Sequence, residues 1–446
     1  MSTPGHQPTA VLDFVHGTAF DDIPTHIIEF GQRCLLDLLG VAAAGRQTEL
    51  SRIAAAHVSA HFGAGSKGAP LLFDGRIASP AGAALFGGMT IDAIDAHDGH
   101  KITKGHTGCH QLPALLAFAA AEGLDDPRHF LATLIVGYEV ATRAGMALHE
   151  TAPDYHTSGA WGAVGVAALG ARIMRFDHAR TFEAMGIAEY HGPRSQMMRV
   201  IDHPTMLKDG SGWGAMAGVS AAYLAADGFT GAPAITVNDP AVEHIWADLG
   251  KRWVIEDQYF KPLPVCRWAQ PAVEAALTLR REHNVMGVDV DRIEVATFHE
   301  AARLATDLPA TTEHAQYSLP FPVAAAVQHG RLGPTEITGE ALTDPHVRSL
   351  SQRVSIIEDP EHNAAFPGNR YARVTLHLRD GNSITSDNTE PRGDPEAHLP
   401  MAEIRSKFHA FAEPSLGAER AAAIENVIDD LPEAESLTSL RSLIDR

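Results

Sequence analysis

About the first 260 residues of this 446-residue chain repeat one texture: apolar positions at helical spacing, diluted with alanine and glycine, with no convincing alternating run. A strand needs a period of two, so this region is confined to helices. Ile27, Phe30, Cys34, Leu38 and Val41 hold one face over 24–45, with Asp21 and Asp22 ahead and Gly45 as the stop. Ser79 as cap and Pro80 in the first turn open another helix through Leu85, Phe86, Met89 and Ile91. Further helices are expected at about 49–62, 112–122, 127–149, 158–175, 179–190 and 212–226. The glycine- and alanine-built run from Ser158 to Met174 reads as a buried helix packed closely on its neighbours, not a membrane span.

The texture changes after Cys266. Pro271 opens a helix through Leu279, and 292–298 and 354–357 then read as strands. Val374, Leu376 and Leu378 alternate up to Asp380-Gly381, a hairpin signal, with Ile384 on the return. Helical spacing resumes at 402–411 and 418–430. The expected architecture is multi-domain: a large, discontinuous all-α domain over 1–267, completed by 400–446, with a smaller α+β domain inserted over 268–399. A cleft between the two is the default place for a ligand.

Asp92 to Pro113 departs from its surroundings by crowding acids, histidines and lysines together. Asp92 and Asp95 fall at the C-terminal end of the Ser79-capped helix, where the macrodipole disfavours carboxylates, and His97, His100, His106 and His110 follow within fourteen residues. A segment that breaks a local rule without visible compensation is a functional candidate. Three further clusters could join it. His156 stands at the start of the glycine-rich helix, Lys208 precedes another small-residue helix, and Lys261 and Arg267 lie at the proposed domain junction. The histidine spacing matches no standard metal motif, and neither a phosphate-binding loop nor a nucleophile elbow occurs, so no metal and no cofactor are expected.

A net charge of −20 argues against nucleic acid or an anionic membrane as partner, and obliges a site for an anion to gather positive groups locally. Three widely spaced cysteines suit a reducing cytoplasm. Met1 to Pro8 has neither a basic region nor an apolar run, so no signal peptide is expected.

Taken in order, the four clusters resemble the MmgE/PrpD family, which includes 2-methylcitrate dehydratase, cis-aconitate decarboxylase and iminodisuccinate epimerase. Arg33 to Gly40, Gly137 to Arg143, Tyr317 to Ala324, and Gly393 to Pro400 with Lys407-Phe408 are similar to further family signatures. The resemblance implies a helical domain, a smaller α+β domain, a site in the cleft, homodimers and no cofactor. Asp95 and Asp98 match family acids, with Gly99 where the family carries threonine. His106, His156 and Lys208 match family positions, and Gln270 stands where the family pattern ends in histidine.

Family reactions form a carbanion or enolate-like species beside a carboxylate, which requires a base, an acid and positive charge for the carboxylates. Lys208 and His106 are the expected proton-transfer pair, oriented by Asp95 and Asp98 with His156 nearby. Lys101, Lys104, Lys261, Arg267 and Gln270 are the expected carboxylate holders. Because glutamine cannot supply a proton, the expected reaction is epimerisation of a small, anionic, iminodisuccinate-like amino-polycarboxylate, which has no leaving group to protonate. A dehydratase or decarboxylase of a di- or tricarboxylate is the alternative. A metal hydrolase and a catalytically inert binding protein rank below both.

Overall fold

The computed structural model describes residues 9–446; the absence of a signal peptide read at Met1 to Pro8 concerns a segment outside the described residues. The expected helices are there, at Thr25–Gly45, Glu49–His61, Pro80–Asp92, Pro127–Thr151, Gly159–Ile173, His178–His191 and Ser211–Ala226. Ser79 accepts a hydrogen bond from the Gly82 amide, which makes it the N-cap, and Pro80 follows it. Small residues set the spacing between helices: a Cβ on Gly88 would stand 2.7 Å from the Gly212 Cα. Pro127–Thr151 is long and apolar enough to cross a membrane, but it is a core helix, buried along most of its length inside the molecule.

Two expectations need correction. The helix read from 112 starts earlier, at Gly108, and carries His110 into the core beside Trp161, with ring centroids 5.8 Å apart. The first 260 residues also contain two short antiparallel pairs, Ala69–Pro70 with Ile77–Ala78 and Gly99–His100 with Gln258–Tyr259. Two residues per strand are too few to show a period. The second pair matters most, because it stitches the histidine-rich segment to the Tyr259–Arg267 segment.

Beyond Cys266 a four-stranded mixed sheet runs in the order Val354–Glu358, Val290–Thr297, Ala372–Leu378, Ser383–Thr385. The first pair is parallel and the other two antiparallel, and Gly381 at φ 91° makes the hairpin turn between the last two. The sheet buries Ile293, Val295, Val374 and Leu376 against Val273 and Phe321, in a core separate from that of the N-terminal helices. The helices Met401–Leu416 and Ala418–Asp429 return to the N-terminal core, where Ile404, Phe408 and Ile424 cluster with Leu35 and Leu39. Lys407 adds a polar tie, its ammonium donating to Asp37 and to the Ala96 carbonyl, both at 2.6 Å. The Met401–Leu416 helix thereby holds the segment that carries Asp95 and His106.

Candidate active site

The Asp92–His110 segment is buried throughout except around Lys101–Lys104, so its charges must be answered inside the molecule. Asp92 is answered by another helix. Its Oδ2 accepts from the Asp209 amide at 3.1 Å and the Ser211 hydroxyl at 2.7 Å, at the N-terminus of Ser211–Ala226, and Oδ1 meets His97 Nε2 at 3.2 Å. A carboxylate disfavoured at the end of its own helix thus gains the favourable end of a neighbour. Burial pushes its pKa up, but His97, Lys208 and Ser211 outweigh burial and hold it below the ordinary carboxylate value.

Asp95 forms a buried ion pair with Lys261 and lies 4.0 Å from His106 Nε2. Burial is again outweighed, here by the charges of Lys261, Lys208 and His106, and the carboxyl stays ionised. His106 has a defined tautomer. Its Nδ1 is 2.6 Å from the Asp98 carbonyl, an acceptor only, so Nδ1 carries the proton and Nε2 keeps a free lone pair. Burial, then Lys261 and His97, press its pKa well below 6.5. The neutral imidazole is a base aimed at Asp95 and the space beside it.

That space is a small cavity lined by Asp95, Lys104, His106, Tyr155, Met197, Ile201, Tyr259, Lys261, Cys266, Arg267, Trp268, Tyr317 and Arg370. Lys208, 3% exposed, donates to Gln316 Oε1 at 2.6 Å, and its ammonium lies 4.8 Å from the Tyr317 ring centroid. Lys104 and Lys208 both sit in left-handed backbone, at φ 48° and 50°, an uncommon state for a residue with a side chain. A larger cavity, of about 940 Å³, lies between Gln47, Thr312, Arg331 and Phe411. Its one buried cation, Lys407, is already held by Asp37, and the base and cations gather instead in the smaller cavity.

The structure therefore brings together Asp95, Lys104, His106, Lys261 and Arg267, with Lys208 at the margin. Four of the expected site residues stand elsewhere or act differently. Gln270 is turned away: its amide donates to the Leu263 and Val265 carbonyls, both at 3.0 Å, and its oxygen accepts from Arg267. Lys101 bridges Asp394 and Glu396, outside the cavity. His156 stacks on His149 with centroids 4.2 Å apart and bonds the Asp154 carbonyl, also outside. Asp98 orients His106, but through its carbonyl. Its carboxyl accepts from Tyr138 and the Gly108 amide, and burial raises its pKa to about 6.

Reading the sequence missed Tyr259, Tyr317, Gln316 and Arg370. Tyr259 opens the Lys261 cluster and Tyr317 opens a family-like signature, so both were visible as positions if not as site residues. Tyr259 also accounts for Gly99: a Cβ there would come within 2.5 Å of the tyrosine ring. Gln316 joins the Asp95 amide, Lys208 and the Ala93 carbonyl. Asp95, His97 and His106 could converge on a metal ion, with ligand atoms within 4.8 Å of one another. The Lys261 ammonium, ion-paired with Asp95, already supplies that cluster with a cation.

A neutral histidine base beside a carboxylate, inside a cavity lined with lysine and arginine, defines an acid–base site for an anionic ligand. The chain belongs to the MmgE/PrpD family: residues 9–242 match the MmgE/PrpD N-terminal domain and 263–433 the C-terminal domain. It is similar to a cis-aconitate decarboxylase-like protein of Aspergillus oryzae, 24% identical with 99% of this chain and 98% of the relative covered. It is equally similar, at 24%, to the mouse cis-aconitate decarboxylase, covering 96% of this chain and 91% of that protein. A shorter match, 27% identical over 29% of this chain and 27% of the relative, is to a mitochondrial 2-methylcitrate dehydratase of Yarrowia lipolytica.

Proposed function

We propose that the chain is a cofactor-independent lyase of a small di- or tricarboxylate, releasing carbon dioxide or water. One observation carries this reading: a neutral His106, with Nε2 free, faces a cavity whose cations outnumber its carboxylates. Cations hold the substrate carboxylates, and charge that develops on an enolate-like intermediate is met by fixed ammonium and guanidinium groups. In decarboxylation the carbon–carbon bond breaks, its electron pair delocalises toward a remaining carboxylate, and a proton is delivered to carbon. In dehydration His106 Nε2 takes the proton from carbon and a protonated group accompanies the departing hydroxide. Lys208 serves as the second proton carrier.

The case for an epimerase rested on Gly99 and Gln270, standing where the family carries threonine and histidine. With Gln270 bonded to backbone carbonyls and to Arg267, that position says nothing about the reaction, and the full-length relatives favour the lyase. Epimerisation of an amino-polycarboxylate is the second reading, because His106 and Lys208 both act on Asp95 and could serve one carbon from two sides. The division into a helical body, 1–267 with 400–446, and an inserted α+β unit, 268–399, belongs to the same proposal and is supported by the two separate cores. So does a homodimer in the cytoplasm.

The test is incubation with cis-aconitate, a citrate, and a single iminodisuccinate stereoisomer in deuterium oxide, followed by proton NMR and carbon dioxide detection. Release of carbon dioxide or water from the first two is expected. Deuterium exchange and stereoisomer interconversion of iminodisuccinate alone, without loss of mass, would replace the lyase with the epimerase.

A further inference from the structure

Among the described residues, no acceptor answers Arg370, a cation of the cavity. It lies between the Pro360–Ala365 helix and the Ala372–Leu378 strand, is 4% exposed, and lines the same space as Asp95, His106 and Lys261. Its Nε and Nη1 are buried and make no hydrogen bond, and among the described residues no carboxylate pairs with it. Its one aromatic contact is the face of Tyr259, with the guanidinium carbon 5.8 Å from the ring centroid.

Of the other cations of the cavity, Lys261 and Arg267 are engaged, and Lys104 is only half-buried, within reach of solvent. Lys261 is paired with Asp95. Arg267, on the same tyrosine at 4.5 Å, donates to Gln270, to the Arg392 and Pro391 carbonyls and to Asp394. Lys104 is half-buried and lies 5.6 Å from the Tyr155 ring centroid. A guanidinium removed from water and left without an acceptor is costly, and its planar fork matches a carboxylate with two parallel N–H bonds.

We infer that Arg370 holds a carboxylate of the substrate remote from the reacting carbon, and so commits the site to molecules with at least two carboxylates. His106 and Arg370 border the same Tyr259 ring, at 6.5 and 5.8 Å from its centroid. A ligand that reaches both carries its anionic ends on a short carbon skeleton. Because Arg370 comes from the segment beyond Cys266 and His106 from the N-terminal helices, such a ligand is gripped from both sides of the cleft. The inference rests on reading the cavity as a polycarboxylate site, and it names the residue that selects among carboxylates.

The test uses the full chain with tricarballylate, glutarate and butyrate as probes, in isothermal titration calorimetry, alongside the steady-state assay. The unmodified protein is expected to bind tricarballylate and glutarate well above butyrate. Arg370→Gln should weaken tricarballylate roughly 100-fold or more, leave butyrate unchanged, and raise KM more than it lowers kcat. Arg370→Lys keeps the charge but loses the fork, and should fall between the two; it decides the matter if the glutamine variant does not fold. Equal tricarballylate affinity in the unmodified protein and in a folded variant overturns the inference, as does failure of the unmodified protein to bind tricarballylate. Binding is read without turnover, so the two proposals separate. Arg370-dependent binding without carbon dioxide or water release spares this inference and sinks the lyase, whereas turnover with unaltered affinity in the variant does the reverse.

Discussion

The two walls of the cavity are built on opposite principles. On the helical side the acids are answered: Asp95 takes Lys261, and behind it Asp92 takes His97, Ser211 and an amide while Asp98 takes Tyr138 and an amide. Opposite lies Arg370, with two guanidinium nitrogens buried and unbonded. The satisfied wall fixes protonation states before any ligand arrives. The unsatisfied wall has a demand that a ligand meets. Preorganised chemistry on one side and unfilled binding on the other is how a site separates kcat from KM.

The sharpest way to break this contrast is to remove the base. His106→Ala should lower kcat by roughly 10²- to 10⁴-fold, with the melting temperature within a few degrees. Lys208→Ala should act in the same direction if Lys208 is the second proton carrier. A His106 variant that melts far below the unmodified protein would make the imidazole part of the scaffold, and the proposed roles of the two walls would collapse into one.

Asp92 tests the satisfied wall itself. Asp92→Ala leaves His97, Ser211 and the Asp209 amide without their acceptor and removes the charge facing Lys208. Breaking a buried charged network of this kind costs about 3–5 kcal/mol. Denaturant unfolding would read it, and a loss under about 1 kcal/mol would mean that the wall is less tightly coupled than its hydrogen bonds indicate.

The pH profile sharpens the comparison further. Neutral His106 is the working form, and its pKa is pressed below 6.5, chiefly by burial. Protonation therefore removes activity only as pH falls through that lowered value. The acid limb of kcat/KM should lie below pH 6.5, and a limb at or above 6.5 would assign the base to another group.

How much of this was legible follows from the range of each signal. Helical spacing is local, so the Ser79–Pro80 start and the Gly45 stop could be read directly. The Asp380-Gly381 turn was as plain. The meeting of Asp95, His106 and Lys261 depends on pairing Gly99–His100 with Gln258–Tyr259, more than 150 positions away and too short to show a pattern. Gln270 was misread because a position in a motif does not reveal a helix register: as the first residue of Gln270–Glu282 it faces backbone carbonyls. Asp98 was chosen for its carboxyl and contributes its carbonyl. Arg370 sits in no motif, and only the finished fold shows that no described residue answers it.

The smallest effect is expected from Asp209, and it tests the satisfied wall from the opposite direction. Its carboxyl accepts from the Ser158 amide at 2.9 Å and bonds the Ser158 hydroxyl. Burial, with Asp92 beside it, raises its pKa from 3.8 to about 8, so at neutral pH it is protonated while Asp92 is charged. Asparagine reproduces that neutral form: its oxygen can accept from the amide and its NH₂ can donate to the hydroxyl. Asp209→Asn should therefore not destabilise the protein at pH 6, where the unmodified folded chain carries the cost of keeping this acid neutral and the variant does not. The sign of the pH dependence follows from the raised folded value. Between 3.8 and about 8 the folded chain holds one proton more than the unfolded chain, so this group makes stability fall as pH rises, by up to about 1.4 kcal/mol per unit. The asparagine variant lacks that slope and should gain on the unmodified protein between pH 6 and 8. Parallel stability curves for the two proteins over that interval would mean that Asp209 is ionised, and the satisfied wall would then hold two adjacent charges where one is expected.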